Sequence, residues 1–290
     1  MRKFIKILAI SLLGLFILGL VAFGGFYYKV RYGLPFFEST PPEISMGAAN
    51  FSVLLFNKTN GFRHSAAIES STLAFQEMAK DRNWNLFVTE SGAVFNEEQL
   101  SLFDVVIWNN VTGPVLTEEQ RTAFRAYMEN GGGYVGIHGA GDFSHYWDWY
   151  ENTLIGATFS HHTMNPGIQP ASMHLECDSS GFHMCQGLDG YIERSDEWYV
   201  FLDNPREKGF TVLYTVDEET FDPNGNFLFL ARNKDFGMGA DHPIVWFKEL
   251  PGGGRTFYSA LGHAGEAFQE DLHLQMLKNA IEWTGKTHIP

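Results

Sequence analysis

Hydrophobic and polar positions divide this chain into three unequal stretches. Residues 7–26 carry no charge and consist mainly of Leu, Ile, Phe, Val, Ala and Gly. At a helical rise of about 1.5 Å per residue this run matches the roughly 30 Å hydrocarbon core of a bilayer, so it predicts a spanning helix. It is apolar on every face, whereas a helix packed on a soluble core keeps a polar stripe. Residues 33–50, with Pro35, Pro41 and Pro42, mix turn and polar residues without a period and read as a linker over about 32–50.

From residue 51 onward, short apolar runs alternate with amphipathic stretches. Phe51-Ser52-Val53-Leu54-Leu55-Phe56 reads as a buried strand, and residues 86–89 and 103–108 as two more. Residues 65–83, apolar at Ala66, Ala67, Leu73, Ala74, Met78 and Ala79, predict a helix. Thr117-Glu118-Glu119-Gln120 is a capping box that opens another helix, which Gly131-Gly132-Gly133 ends. Tyr134-Val135-Gly136-Ile137-His138 follows as a fourth strand. Strands alternating with helices predict an α/β three-layer sandwich around a mostly parallel sheet. Beyond about Gln169 the pattern turns strand-rich, at 171–176, 210–216, 227–232, 244–247 and 256–260, before a last helix over 266–284. One domain over 51–286 with a mixed or antiparallel extension is expected.

Charge refines this picture. Arg2, Lys3 and Lys6 precede the apolar run and Lys29 and Arg31 follow it, a bias that favours an inside N-terminus. Residues 1–31 then form a signal-anchor in a bacterial inner membrane, with the domain periplasmic or otherwise extracytoplasmic. A cleaved signal peptide is the competing reading. Against it stand the length of the run and the absence of a small-x-small site before Phe26-Tyr27-Tyr28-Lys29. A formal charge of −14 argues against nucleic-acid binding and leaves a small neutral or cationic molecule as the partner. Cys177 and Cys185 flank Asp178-Ser179-Ser180-Gly181; a disulfide and two buried thiols both fit that spacing.

Candidate chemistry gathers where strands end, the position at which open α/β sheets bind ligands. His64 follows the first strand, His138 the fourth, and His263 the run Tyr258-Ser259-Ala260-Leu261-Gly262. Imidazole titrates near neutrality, so such residues can take and give protons. Gly136-x-His138-x-Ala140 has the shape of a nucleophile elbow with imidazole in place of Ser or Cys, and Asp142 lies just beyond. In the pair His161-His162 an extended backbone would turn only one ring to the site, and His162 is the choice.

The runs Gly61-Phe62-Arg63-His64, Gly131-Gly132-Gly133-Tyr134-Val135-Gly136-Ile137-His138, Asp196-Glu197-Trp198-Tyr199, His242-Pro243-Ile244-Val245-Trp246 and Gly262-His263 together resemble the ThuA-like family. The resemblance covers nearly all of 51–285. It implies a flavodoxin-related, class I glutamine-amidotransferase-like fold and a role in the use of trehalose or related sugars. Amidotransferases of that fold carry Cys at the elbow where His138 stands here, so glutaminase activity is not implied.

A sugar fits the aromatic residues, since flat rings cover its C–H face while carboxylates and imidazoles bond its hydroxyls. Trp147 and Trp198 are the candidates, with Arg63 and His162 as further substrate-binding residues. In an enzyme, His138 or His64 would serve as base and Glu197 or another histidine, such as His263, as acid, in a hydrolase, lyase or isomerase. Asp142 with Glu197 would be the pair in a two-carboxylate glycosidase. These schemes need no cofactor. A zinc version would draw ligands from His64, His138, His162 and His263, although no His-Glu-x-x-His motif is present. A non-catalytic carbohydrate-binding or sensory module is the third reading.

Overall fold

The structure is a computed structural model that describes residues 2–177, 182–226 and 233–286. Helix α1 (Arg2–Tyr32) is apolar enough to cross a membrane and buries none of its residues in protein. It stops at Gly33, whose φ of 72° supplies a left-handed cap and whose N–H donates to Lys29 O at 2.9 Å. A Cβ at Gly33 would lie 2.6 Å from Pro114 Cδ, so glycine is required there twice over.

The apolar runs become β1 (Ser52–Phe56), β2 (Asn85–Thr89), β3 (Val105–Asn109) and β4 (Gly133–Ile137), joined by α2 (Ser65–Arg82), the short α3 (Glu97–Leu100) and α4 (Glu118–Glu129). Thr117 and Gln120 form both bonds of the predicted capping box on α4. The second half contributes β5 (Phe159–His162), β6 (Gln169–Leu175), β7 (Tyr191–Asp196), β8 (Tyr199–Phe201), β9 (Thr211–Val216), β10 (Pro243–Glu249), β11 (Arg255–Ser259) and α5 (Asp271–Thr284). The strand expected over 227–232 lies outside the described residues.

Nine strands form one sheet in the order β2-β1-β3-β4-β11-β10-β9-β6-β7. The first five are parallel, and every later pairing is antiparallel. The parallel half is the flavodoxin-like part; β1, β3 and β4 are buried along their whole length, as strands covered on both faces must be. β5 and β8 pair separately, and Tyr199 of β8 packs on the ring of His138, the residue after β4, with centroids 4.3 Å apart. Cys177 and Cys185 are joined, with Cα atoms 6.1 Å apart.

Residues 34–42 run along the domain surface with specific bonds. Lys58, almost fully buried, meets Glu38 at 2.5 Å and Phe36 O at 2.7 Å. Gly92 N–H donates to the same Glu38 carboxylate at 2.7 Å, and Gln99 Nε2 to Pro42 O at 2.6 Å.

Candidate functional site

His138 follows the last residue of β4 with φ at 46°, a left-handed conformation that a non-glycine residue adopts only under local constraint. Its ring is fully buried, and Nδ1 donates to Ala260 O at 2.7 Å. With that tautomer held, Nε2 points into the site. Tyr258 Oη donates to the His138 carbonyl at 2.9 Å and steadies the turn from below.

Three further side chains meet Nε2 of His138. Glu197 Oε2 stands 3.3 Å away and His263 Nδ1 3.2 Å away, while Glu197 and His263 are themselves 3.1 Å apart. The His64 ring lies edge-on to both other rings, with centroids 4.8 Å from His138 and 5.0 Å from His263. One ligand atom from each of His64, His138, Glu197 and His263 falls within 4.8 Å of the others. His162 adds an outer contact, its Nδ1 lying 3.1 Å from Glu197 Oε1 and 2.8 Å from Thr163 O.

These positions follow from local sequence. His64 is the residue before α2 and makes no side-chain cap bond, so its ring is free for the site. Glu197 sits between the edge strand β7 and the three-residue β8. His263 follows Gly262, whose φ of 104° turns the chain after β11. Asp196 fastens the two segments together. It accepts from the N–H groups of Glu197 (2.9 Å), Gly262 (3.0 Å) and His263 (3.2 Å), and pairs with Arg194 at 3.1 Å.

Electrostatics suit a cation. Burial lowers the His64 pKa well below the ordinary value, and the neighbouring His138 and His263 push it further, so that ring is neutral at pH 7. Burial works to raise Glu197, but bonds from His138 and His263 outweigh it and hold the carboxylate ionised. Burial likewise opposes charge on His263, yet Glu197 wins and the net direction is up. A neutral His138 would face Glu197 Oε2 lone pair to lone pair, so either a second proton or a metal cation belongs between them. His64 Nδ1 is buried and finds no hydrogen-bond partner among the described residues.

A cleft of about 360 Å³ leads down to this cluster. Its floor is His64, His162, Glu197 and His263, with Asp142 alongside; Phe143, Phe159 and Tyr199 are among its walls. Asp142 Oδ1 accepts from Ser144 N–H at 2.7 Å, and burial, opposed by His145, leaves its pKa raised. Of the other residues singled out from sequence, Arg63 is on the surface, bonded to Glu90 at 2.7 Å and Asn57 O at 3.2 Å. Trp147 stacks on Tyr150 beneath Arg121, outside the cleft lining. Trp198 is fully buried, its indole donating to Gln169 O at 2.8 Å. His161 turns the other way from His162, to Pro223 O at 3.0 Å. Sequence reasoning missed the wall residues Phe143 and Phe159 and the role of Asp196.

A family model for ThuA, described as trehalose utilisation, matches residues 52–284. A ThuA-like protein from Bacteroides uniformis ATCC 8492 superposes with a TM-score of 0.66 at 26% identity, over 84% of this chain and 95% of that one. A second ThuA-like protein, from Parabacteroides merdae ATCC 43184, gives 0.56 at 19% identity over 83% and 92%, a likeness of fold. The comparison with curated proteins found no match.

Proposed function

This chain belongs to the ThuA, or trehalose utilisation, family, and we propose that it is a membrane-anchored, metal-dependent enzyme acting on a sugar outside the cytoplasm. One observation carries the metal: three imidazoles and a carboxylate converge within 4.8 Å, and one of those imidazoles keeps a buried nitrogen without a partner among the described residues. The three edges among His138, Glu197 and His263 are 3.1–3.3 Å. A tetrahedral site with zinc–nitrogen bonds of about 2.0–2.1 Å has ligand–ligand edges of about 3.3–3.4 Å, which His138, Glu197 and His263 already match, while the His64 ring, within a cluster that spans 4.8 Å, would close in on the ion.

His64, His138 and His263 would hold the ion, with Glu197 as the fourth group, able to ligate or to take a proton. The ion would supply Lewis acidity towards a sugar oxygen or a bound water. The Ala260 carbonyl fixes the donor nitrogen of His138, as a partner behind a metal-bound histidine does. His162 holds Glu197 from the cleft side. Asp142, whose pKa burial raises, is the carboxyl group at the cleft wall that serves as acid–base partner to the cluster. The family's description supports a sugar as the molecule bound.

The test is turnover of trehalose and a panel of glucosides by the full chain before and after chelation. Activity should fall by about 100-fold or more on chelation and on substitution Glu197→Gln, as for loss of a central electrostatic group, and zinc should restore the chelated wild type. Full turnover by the chelated protein would overturn the metal reading.

A further inference from the structure

The cleft has two kinds of lining. One is the polar His–Glu cluster; the other is Tyr27, Val30, Phe62, Phe159 and Met164, with Arg31, and Phe62 reaches the cluster edge-on to the His64 ring at 4.8 Å. Three of these residues belong to the last turns of α1. The junction is a bonded one: Arg31 lies 4.2 Å over the Phe143 ring, Tyr146 Oη donates to Arg31 O at 3.4 Å, and Leu34 N–H donates to Asn60 O at 2.8 Å. The end of the apolar helix is thus a wall of the candidate site.

Depth follows from the helix itself. The uncharged run ends at Phe26, and Arg31 is five residues further on, or about 7.5 Å along the axis. The headgroup layer on each side of a bilayer is about 5–8 Å thick. Tyr27, Tyr28, Lys29, Arg31 and Tyr32 are the residue types that occupy that layer. Leu34, Phe36, Phe62 and Tyr146, all exposed, ring the same junction, Phe36 with 66% of its surface open. In water these side chains would form an unexplained apolar collar; against a bilayer they sit in its interface.

We infer that the cleft opens into the headgroup layer and takes an amphiphilic substrate, a saccharide carried on a lipid. Its sugar rests on the His–Glu floor, and its chain leaves between Tyr27 and Val30 on one side and Phe62 and Met164 on the other. A free sugar would use the floor alone and leave the apolar walls wet. The inference rests on the reading of that floor as the sugar-active site and of α1 as a retained membrane span.

The full chain in phosphatidylcholine–phosphatidylglycerol nanodiscs tests it, with a monoglucosyl diacylglycerol bearing a photoreactive diazirine in its acyl chain. Crosslinks mapped by mass spectrometry should fall on Phe62, Phe159 or Met164 as well as on α1, and an equimolar amount of methyl glucoside should not displace them. Val30→Trp, which fills the mouth, should cut crosslinking at Phe159 and Met164 by about tenfold, the equivalent of 1.4 kcal/mol. Crosslinks confined to residues 7–26, or abolished by equimolar methyl glucoside, would overturn the inference in favour of a lipid boundary or a free sugar. Metal content of the same samples separates the two readings: crosslinks at the cleft without bound metal would remove the metal and leave the amphiphile.

Discussion

The three histidines that meet in the cleft were legible in the sequence because they lie in the segments after β1, β4 and β11, where a parallel sheet delivers side chains to one rim, and Glu197 because it is a carboxylate beside aromatic residues. Asp196 was not, because it acts on backbone N–H groups, which leave no pattern in residue types. Asp196→Asn should loosen both segments that it ties, weakening zinc binding by about 10–100-fold while far-ultraviolet circular dichroism stays unchanged. Isothermal titration of the variant checks this, and wild-type affinity would show that Asp196 positions nothing. Trp198 resembles a binding residue in sequence but is fully buried, a distinction that only packing reveals. His273 on α5 makes a prediction about pH. Burial first, and the Arg194 charge second, depress its folded pKa, and its Nε2 has no hydrogen-bond partner among the described residues. The unfolded chain therefore takes up a proton below about pH 6.5 that the folded one refuses, so stability present above that pH is lost as the pH falls, by up to about 1.4 kcal/mol per unit. Urea unfolding of metal-free His273→Gln between pH 7 and 5 should show a flatter profile than wild type; parallel profiles would contradict the assignment.

Elements separate by how they are held. β1, β3 and β4 are fully buried and announce themselves as apolar runs, and α4 by its capping box. β5 and β8 escaped notice because they are only four and three residues long, and β7 because it is an edge strand, exposed at alternate positions. The stretch after α1 shows no period because polar bonds rather than an apolar face fasten it. Lys58 is its main anchor, a buried ammonium whose charge Glu38 offsets. Glu38→Gln should lower stability by about 1.5–3 kcal/mol, the range for a hydrogen bond to a charged group, seen as a lower urea midpoint at unchanged slope. A shift below about 0.5 kcal/mol would mean that this stretch leaves the surface in solution.

At the scale of the whole molecule, the parallel half supplies His64, His138 and His263, while Glu197 comes from the antiparallel extension. The cluster exists only when both halves have folded against each other, so an ion bound there stabilises the entire domain. The order of strands and helices made the parallel half readable, but nothing in the sequence showed that the extension folds back over its carboxyl end. The same arrangement sets the cluster beside the end of α1, whose Tyr27, Val30 and Arg31 line the same cleft. The central claim is the metal, and its most direct test is the metal content of the full-length protein after zinc loading and exhaustive dialysis, compared with His64→Ala. The account predicts about one divalent ion per wild-type chain and a loss of most of it in the variant. Wild-type protein that retains no ion, or a variant that retains as much as wild type, would contradict it.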